Sequence, residues 1–238
     1  MAFIVTLAHF CEVHGPSMIM CTQTINNKTQ DETSYYSPSI PQSQLCKSCC
    51  LMIPSKGSST ENSLEQPGGE SSSTIRSQVD GVSFLTTQFP TSQVRYSSLR
   101  QIIMKVFTVE TNLDNSKPVI FGDSNNGYSV ALGFKLYDMT ARGSERKYSI
   151  IVTSESEDEL FARYIIVLKH LISIVDFIVT RLSHIIESQS KSDNNNDIFL
   201  RRGSRIPKSK SLVEILKDGD FFVKMHKWAC SLLLELDT

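Results

Sequence analysis

Cys46-Lys47-Ser48-Cys49 sets two thiols two residues apart, the spacing with which one turn of chain offers two sulphurs to a tetrahedral zinc ion. A structural zinc site needs four ligands, and neither a second C-x-x-C nor a pair of spaced histidines supplies the rest. Cys11, Cys21 or His14 can complete the set only through the tertiary fold. The expectation is therefore no resident metal, with Cys46 and Cys49 as the residues that come nearest to binding one, against a plain loop of solvated thiols. A redox dithiol is disfavoured, because a low-pKa thiol needs a helix N-terminus or nearby cations and no helix pattern follows Cys49.

His9, Cys11 and His14 contain the residue types of a thiol nucleophile and its base, but no G-x-S-x-G turn accompanies them, and strand ends with a turn explain them better. The chain also carries no G-x-x-x-x-G-K-[ST], no G-x-G-x-x-G and no H-E-x-x-H. It is not expected to cradle a nucleotide or to be an enzyme by itself. One connector, residues 138–146, is long for a hairpin and has room to carry function. Within it Arg142-Gly143 can project a guanidinium from a tight turn, and the planar fork suits phosphate oxygens on another protein. An ordinary solvated arginine is the competing reading.

The elements that must hold these residues are legible in parts. Residues 2–10 are apolar at nearly every position, as in a strand buried on both faces, and Gly15-Pro16 turns the chain back into Met18-Ile19-Met20-Cys21. Ser98 with Gln101 has the form of a capping box ahead of Leu99, Ile102, Ile103, Val106 and Phe107 at helical spacing. Pro118 to Phe121, Asn125-Asn126-Gly127 and an alternating run from Tyr128 to Tyr137 make a hairpin, and Tyr148 to Val152 a further strand. Ser156 with Glu159 caps an apolar helix running to about Ile186, and Ser211 with Glu214 caps a C-terminal helix that Asp218-Gly219-Asp220 interrupts.

Between these elements, residues 24–93 hold 15 serines and five prolines with no sustained apolar period, which reads as a disordered insertion after the second strand. Residues 191–210 read as a mobile basic linker, leaving 1–190 as one domain and 211–238 as a helical segment packed on it. Two strands, a helix, three strands and then helices give an α+β fold, with a five-stranded, mainly antiparallel sheet packed by helices.

Twenty-four basic and 25 acidic residues leave a net charge of −1, so no global field draws the chain to nucleic acid or an anionic membrane. The apolar stretch from Leu160 to Val179 contains Arg163, Lys169, His170 and Asp176, charges that are costly in a bilayer, and reads as a buried soluble helix. The apolar N-terminus lacks the leading basic residues of a secretory signal, and Ala2 excludes N-myristoylation. A cytoplasmic protein that meets membranes only through partners is expected.

The element order is that of a longin (roadblock-like) domain, and the residues sharpen the likeness. His9-Phe10-Cys11-Glu12-Val13-His14-Gly15-Pro16 leading to Cys21-Thr22, Phe121-Gly122-Asp123 with Gly127, and Ala141-Arg142-Gly143 leading to Arg146-Lys147-Tyr148-Ser149-Ile150-Ile151 resemble the N-terminal longin domain of the folliculin family. The likeness includes the C-x-x-C at Cys46 and Cys49, is weaker at the first helix and around Trp228-Ala229-Cys230, and does not cover the insertion or the basic segment. It is nearest to the short fungal form without a DENN domain.

The resemblance implies a GTPase-activating subunit that works with a folliculin-interacting-type longin-DENN protein on a Rag-type GTPase heterodimer, in amino-acid signalling to the TOR kinase at the vacuolar or lysosomal surface. It implies that Arg142 is the catalytic arginine finger, with Gly143 and Arg146 supporting its loop. GTP and Mg²⁺ would reside on the partner GTPase, with no cofactor on this chain. The alternative is a non-catalytic longin adaptor that recruits or scaffolds a GTPase complex.

Overall fold

The computed structural model describes residues 3–25, 46–53, 74–109, 117–192 and 208–237. In chain order these form β1 (Ile4–Cys11), β2 (Gly15–Ile25), a 3-10 turn (Lys47–Cys49), β3 (Ile75–Val79), β4 (Val82–Thr87), α1 (Gln93–Val109), β5 (Val119–Asp123) and β6 (Gly127–Tyr137). A second 3-10 turn (Arg142–Ser144), β7 (Glu145–Ser154), α2 (Glu157–Ala162), α3 (Tyr164–Ser192), α4 (Leu212–Ile215) and α5 (Phe221–Asp237) follow. The strands join in one antiparallel sheet of order β3-β4-β2-β1-β7-β6-β5. The α+β architecture and its antiparallel sheet agree with the sequence.

Alternation along β1 sends its side chains into two cores. Phe3, Val5 and Leu7 join Phe134, Tyr148 and Ile150 beneath α2 to α5, while Ile4 and Ala8 join Ala131 and Ile151 beneath α1. β2 keeps both faces matched through a bulge. Leu7 pairs with Met20 but Ala8 with Met18, so Ile19 is the extra residue that restores the alternation. Burial on both faces explains why these strands read as continuous apolar runs.

Among the described residues the sheet has seven strands, not five, and the two additional ones lie inside the stretch expected to lack structure. The Asp80-Gly81 pair, with φ of 52° and 81°, closes a hairpin between β3 and β4, the geometry that an Asp-Gly turn adopts at least cost. β4 then pairs with β2, and the hydroxyls of Thr22 and Thr86 meet at 2.6 Å in the interior. Serine density hid this hairpin because Ser77 and Ser83 sit among its apolar residues and blur the alternation. Residues 46–53 are also ordered, with Leu51 in the core. The rest of the expected insertion, 26–45 and 54–73, lies outside the described residues.

Three smaller boundaries move as well. α1 begins at Gln93, so Ser98 is interior to the helix and does not cap it. The mobile linker does not extend over its expected ends, since α3 runs to Ser192 and 208–210 are fixed against the 138–146 loop; 193–207 lie outside the described residues. The later caps form in one case by half and in the other in full: the Ser156 amide donates to Ser154 and not to Glu159, and the helix it caps breaks at Arg163 before α3. Ser156 accepts the Glu159 amide, and Ser211 with Glu214 completes a reciprocal capping box before a short α4 that breaks ahead of α5. No helix among the described residues is long and apolar enough to cross a membrane.

Candidate functional site

The connector from β6 to β7 is a tight structure built around one carboxylate. Asp138 accepts from the Thr140 amide at 3.0 Å and the Thr140 hydroxyl at 2.8 Å, an Asx-type arrangement that starts the turn. Its other oxygen accepts from Arg146 Nε at 2.7 Å, with both side chains almost fully buried. Lys210 Nζ donates to the first oxygen, the one held by the Thr140 amide, at 3.1 Å. Burial alone would raise the Asp138 pKa, but the bonds from Thr140, Arg146 and Lys210 prevail and hold it down at about 2.

The same loop carries Arg142 outward. Gly143 has φ of 70° and Ser144 φ of 60°, so two successive residues take the left-handed region where only glycine is free of penalty. The Asp138 amide donates to the Ser144 carbonyl at 3.0 Å and closes the neck. Arg142 is exposed at the tip, and its backbone N–H is held by the Glu12 carboxylate from the β1–β2 turn. The segment 208–210 straps the base, with Lys208 N–H donating to the Thr140 carbonyl at 3.3 Å and the Lys208 carbonyl accepting from Arg146. Arg142 and Gly143 thus form the tip and Arg146 the buried root of one loop.

Beside it lies a cluster that sequence spacing only half revealed. The side-chain ligand atoms of Cys11, His14, Cys46 and Cys49 all fall within 4.8 Å of one another. Cys11 Sγ is 3.5 Å from Cys46 Sγ, which is 3.5 Å from Cys49 Sγ. His14 Nδ1 is 3.4 Å from Cys49 Sγ and 3.7 Å from Cys11 Sγ. The β1–β2 turn supplies Cys11 and His14, and the 3-10 turn supplies Cys46 and Cys49. Ser48 holds that turn against the strap through Ser209, 2.9 Å between hydroxyls, and Gln88 Nε2 donates to the Cys49 carbonyl at 2.9 Å.

His9 backs the cluster, its Nε2 3.3 Å from Cys49 Sγ and its ring stacked at 5.8 Å on Tyr148. Burial lowers the His9 pKa to about 4, so the ring is neutral at physiological pH. Hydrogen bonding from Cys49 pulls the Cys11 thiol well below its usual range, and the same contact with burial pushes Cys49 up. Sequence reasoning named Cys46 and Cys49 and left Cys11 or His14 to the tertiary fold, and the structure brings in both. Cys21 is fully buried elsewhere, in the core under α1. Glu12 and Asp138 lie in segments that the sequence singles out, the run from His9 to Pro16 and the 138–146 connector, but have no role assigned there, and the strap falls within the expected basic linker; the three converge only by folding.

Comparison with known proteins gives a consistent set of relatives. A family model described as "Folliculin: Vesicle coat protein involved in Golgi to plasma membrane transport" matches residues 82–236. Protein LST7 of Saccharomyces cerevisiae is 33% identical over 97% of this chain and 94% of its own length. Folliculin-like protein bhd1 of Schizosaccharomyces pombe is 33% identical over 41% of this chain and 28% of its own, and human Folliculin 22% identical over 94% of this chain and 44% of its own. The chain therefore spans nearly the whole of the first of these and less than half of the other two.

Proposed function

The chain belongs to the folliculin family, and from that premise we propose that it is a GTPase-activating subunit whose arginine finger is Arg142. One observation carries the reading: an exposed arginine at the tip of a loop whose root is locked by a buried ion pair. An arginine finger must reach into a neighbouring protein's nucleotide site yet arrive with little conformational freedom left to lose. Left-handed backbone at Gly143 and Ser144, the closed neck and the Glu12 contact restrict this loop before any partner binds.

In this reading Arg142 places guanidinium charge on the transferring phosphoryl group, while the GTPase supplies the phosphate loop, the bound GTP and its Mg²⁺. The target is a C/D-type Rag GTPase within its heterodimer, engaged together with a folliculin-interacting-type longin-DENN partner in amino-acid signalling to the TOR kinase. The chain is cytoplasmic and is recruited to the vacuolar or lysosomal surface through those partners. It is no enzyme on its own and supplies its arginine in trans, with no cofactor needed for that step.

Single-turnover GTP hydrolysis by the Rag-type GTPase, measured with the purified complex, tests the proposal. Arg142→Ala is expected to bind normally and to lose about 10³- to 10⁵-fold in rate. Arg142→Lys is expected to fail as well, because an ammonium cannot reproduce the planar multi-donor fork. Unchanged hydrolysis by an Arg142→Ala complex that still assembles would make the chain a scaffolding adaptor.

A further inference from the structure

The four side chains beside the Arg142 loop have a use that GTPase activation does not require. We propose that Cys11, His14, Cys46 and Cys49 form a four-coordinate structural zinc site. A tetrahedral zinc with bonds of about 2.3 Å to sulphur and about 2.1 Å to nitrogen spaces its ligand atoms roughly 3.6 to 3.8 Å apart. Four of the six separations, 3.4, 3.5, 3.5 and 3.7 Å, lie close to those edges, and all six are within 4.8 Å.

Other readings of the same geometry fit less well. A disulfide needs sulphurs at about 2.05 Å and joins only two thiols, whereas here three meet with an imidazole. A soft set of three thiolates and one neutral imidazole in tetrahedral array selects zinc over the hard cations, which take oxygen ligands. All four positions come from protein, so no open position remains for a reacting water and the role is structural.

The surroundings are those of a ligand shell. The Val13 amide donates to Cys11 Sγ at 3.4 Å, and His9 Nε2 lies 3.3 Å from Cys49 Sγ, so two neighbouring groups orient the sulphurs from outside. Cys11 and Cys49 are buried while His14 is exposed, which leaves an entry path on the histidine side. Binding replaces three thiol protons by one Zn²⁺ and releases them to solvent, so the site holds its metal less tightly in acid. The ion would join two turns 35 residues apart, one of which holds Arg142 through Glu12.

The test uses the full chain, purified without chelator, with metal content measured by plasma mass spectrometry. One zinc per chain is expected, and replacement by Co²⁺ should give a thiolate-to-cobalt charge-transfer band with the intense visible bands of a tetrahedral site. Cys46→Ser with Cys49→Ser should lose the metal, whereas Cys50→Ser, next in the chain and outside the ligand set, should keep it. Because misfolding of the double variant would also release metal, cobalt titration of chelator-stripped wild-type chain provides an independent reading. A folded wild-type chain with no zinc and no cobalt bands would overturn the proposal. So would zinc retained by the double variant, or a Cys11–Cys46 disulfide found by alkylation mapping. None of these results bears on GTP hydrolysis, so the two proposals stand or fall separately.

Discussion

Three residues separate Arg142, which is exposed, from Arg146, whose side chain is sealed against Asp138 at 2.7 Å. Removing Arg146 takes away the best-buried partner of Asp138 but leaves it Lys210 and Thr140, so Arg146→Ala is expected to destabilise the chain by about 1.5–3 kcal/mol, against less than about 0.5 kcal/mol for Arg142→Ala. Urea denaturation of the two variants distinguishes them, and equal losses would contradict this division of roles. Arg146 is consequently a poor control for catalysis, and the exposed Lys147 is a better one. Asp138 adds a pH dependence. Its folded pKa of about 2 lies below the unfolded value of 3.8, so its contribution is present above pH 3.8 and is lost as pH falls toward 2. Asp138→Asn should flatten the stability profile over that window, and an unaltered acid limb would show that other carboxylates control it. The arginine-glycine pair announced this tip in the sequence, but nothing in residue type distinguished its buried root from its exposed end.

The hairpin of β3 and β4 is tied to α5 through His226, beside a weaker contact of Ser77 with Cys230 at 3.5 Å. His226 Nδ1 lies 2.7 Å from Thr86 Oγ1 and Nε2 2.9 Å from Ser77 Oγ, so one ring spans both strands. Burial, with a smaller effect from Lys227, lowers the His226 pKa to about 4 from 6.5. The neutral ring is the form that stabilises the fold. That stability is complete above pH 6.5 and is lost as pH falls toward 4. Protection factors for amide exchange in residues 75–87, which correct for the slower intrinsic exchange in acid, should therefore fall between pH 7 and pH 5, and His226→Gln, which keeps a donor and an acceptor but does not titrate, should remove the change. Identical protection factors at the two pH values in the wild-type chain would rule the clamp out. The hairpin that this clamp holds was the element least visible in sequence, since its Asp-Gly turn stood among serines. The Ser211–Glu214 capping box was legible because such a box is local, whereas α1 was started six residues late because Ser98 imitates a cap that the fold does not use. The zinc ligands show the same limit: Cys46 and Cys49 share one turn, but Cys11 and His14 reach them only after two distant turns have been packed together.

Across the whole molecule, β1 separates two hydrophobic cores and is bonded on one side to β2 and on the other to β7. Leu7, only 1% exposed, lies on the larger core's side, and Leu7→Ala is expected to cost about 2–5 kcal/mol. Because both cores share the strand, thermal unfolding followed by tryptophan fluorescence and by far-ultraviolet dichroism should shift together; separate transitions would mean that the cores unfold independently. The strand order also sets a timetable. The hairpin of β1 and β2 leaves the ribosome well before β7, and the edge of β1 that faces Tyr148 to Thr153 stays unpaired until those residues have been made. At bacterial to eukaryotic rates of about 5–20 residues per second, that edge waits on the order of ten seconds. An apolar strand with open backbone donors and acceptors is a template for pairing with the wrong chain during that interval. Biogenesis of this protein therefore depends on whatever shields the nascent hairpin before its central neighbour arrives.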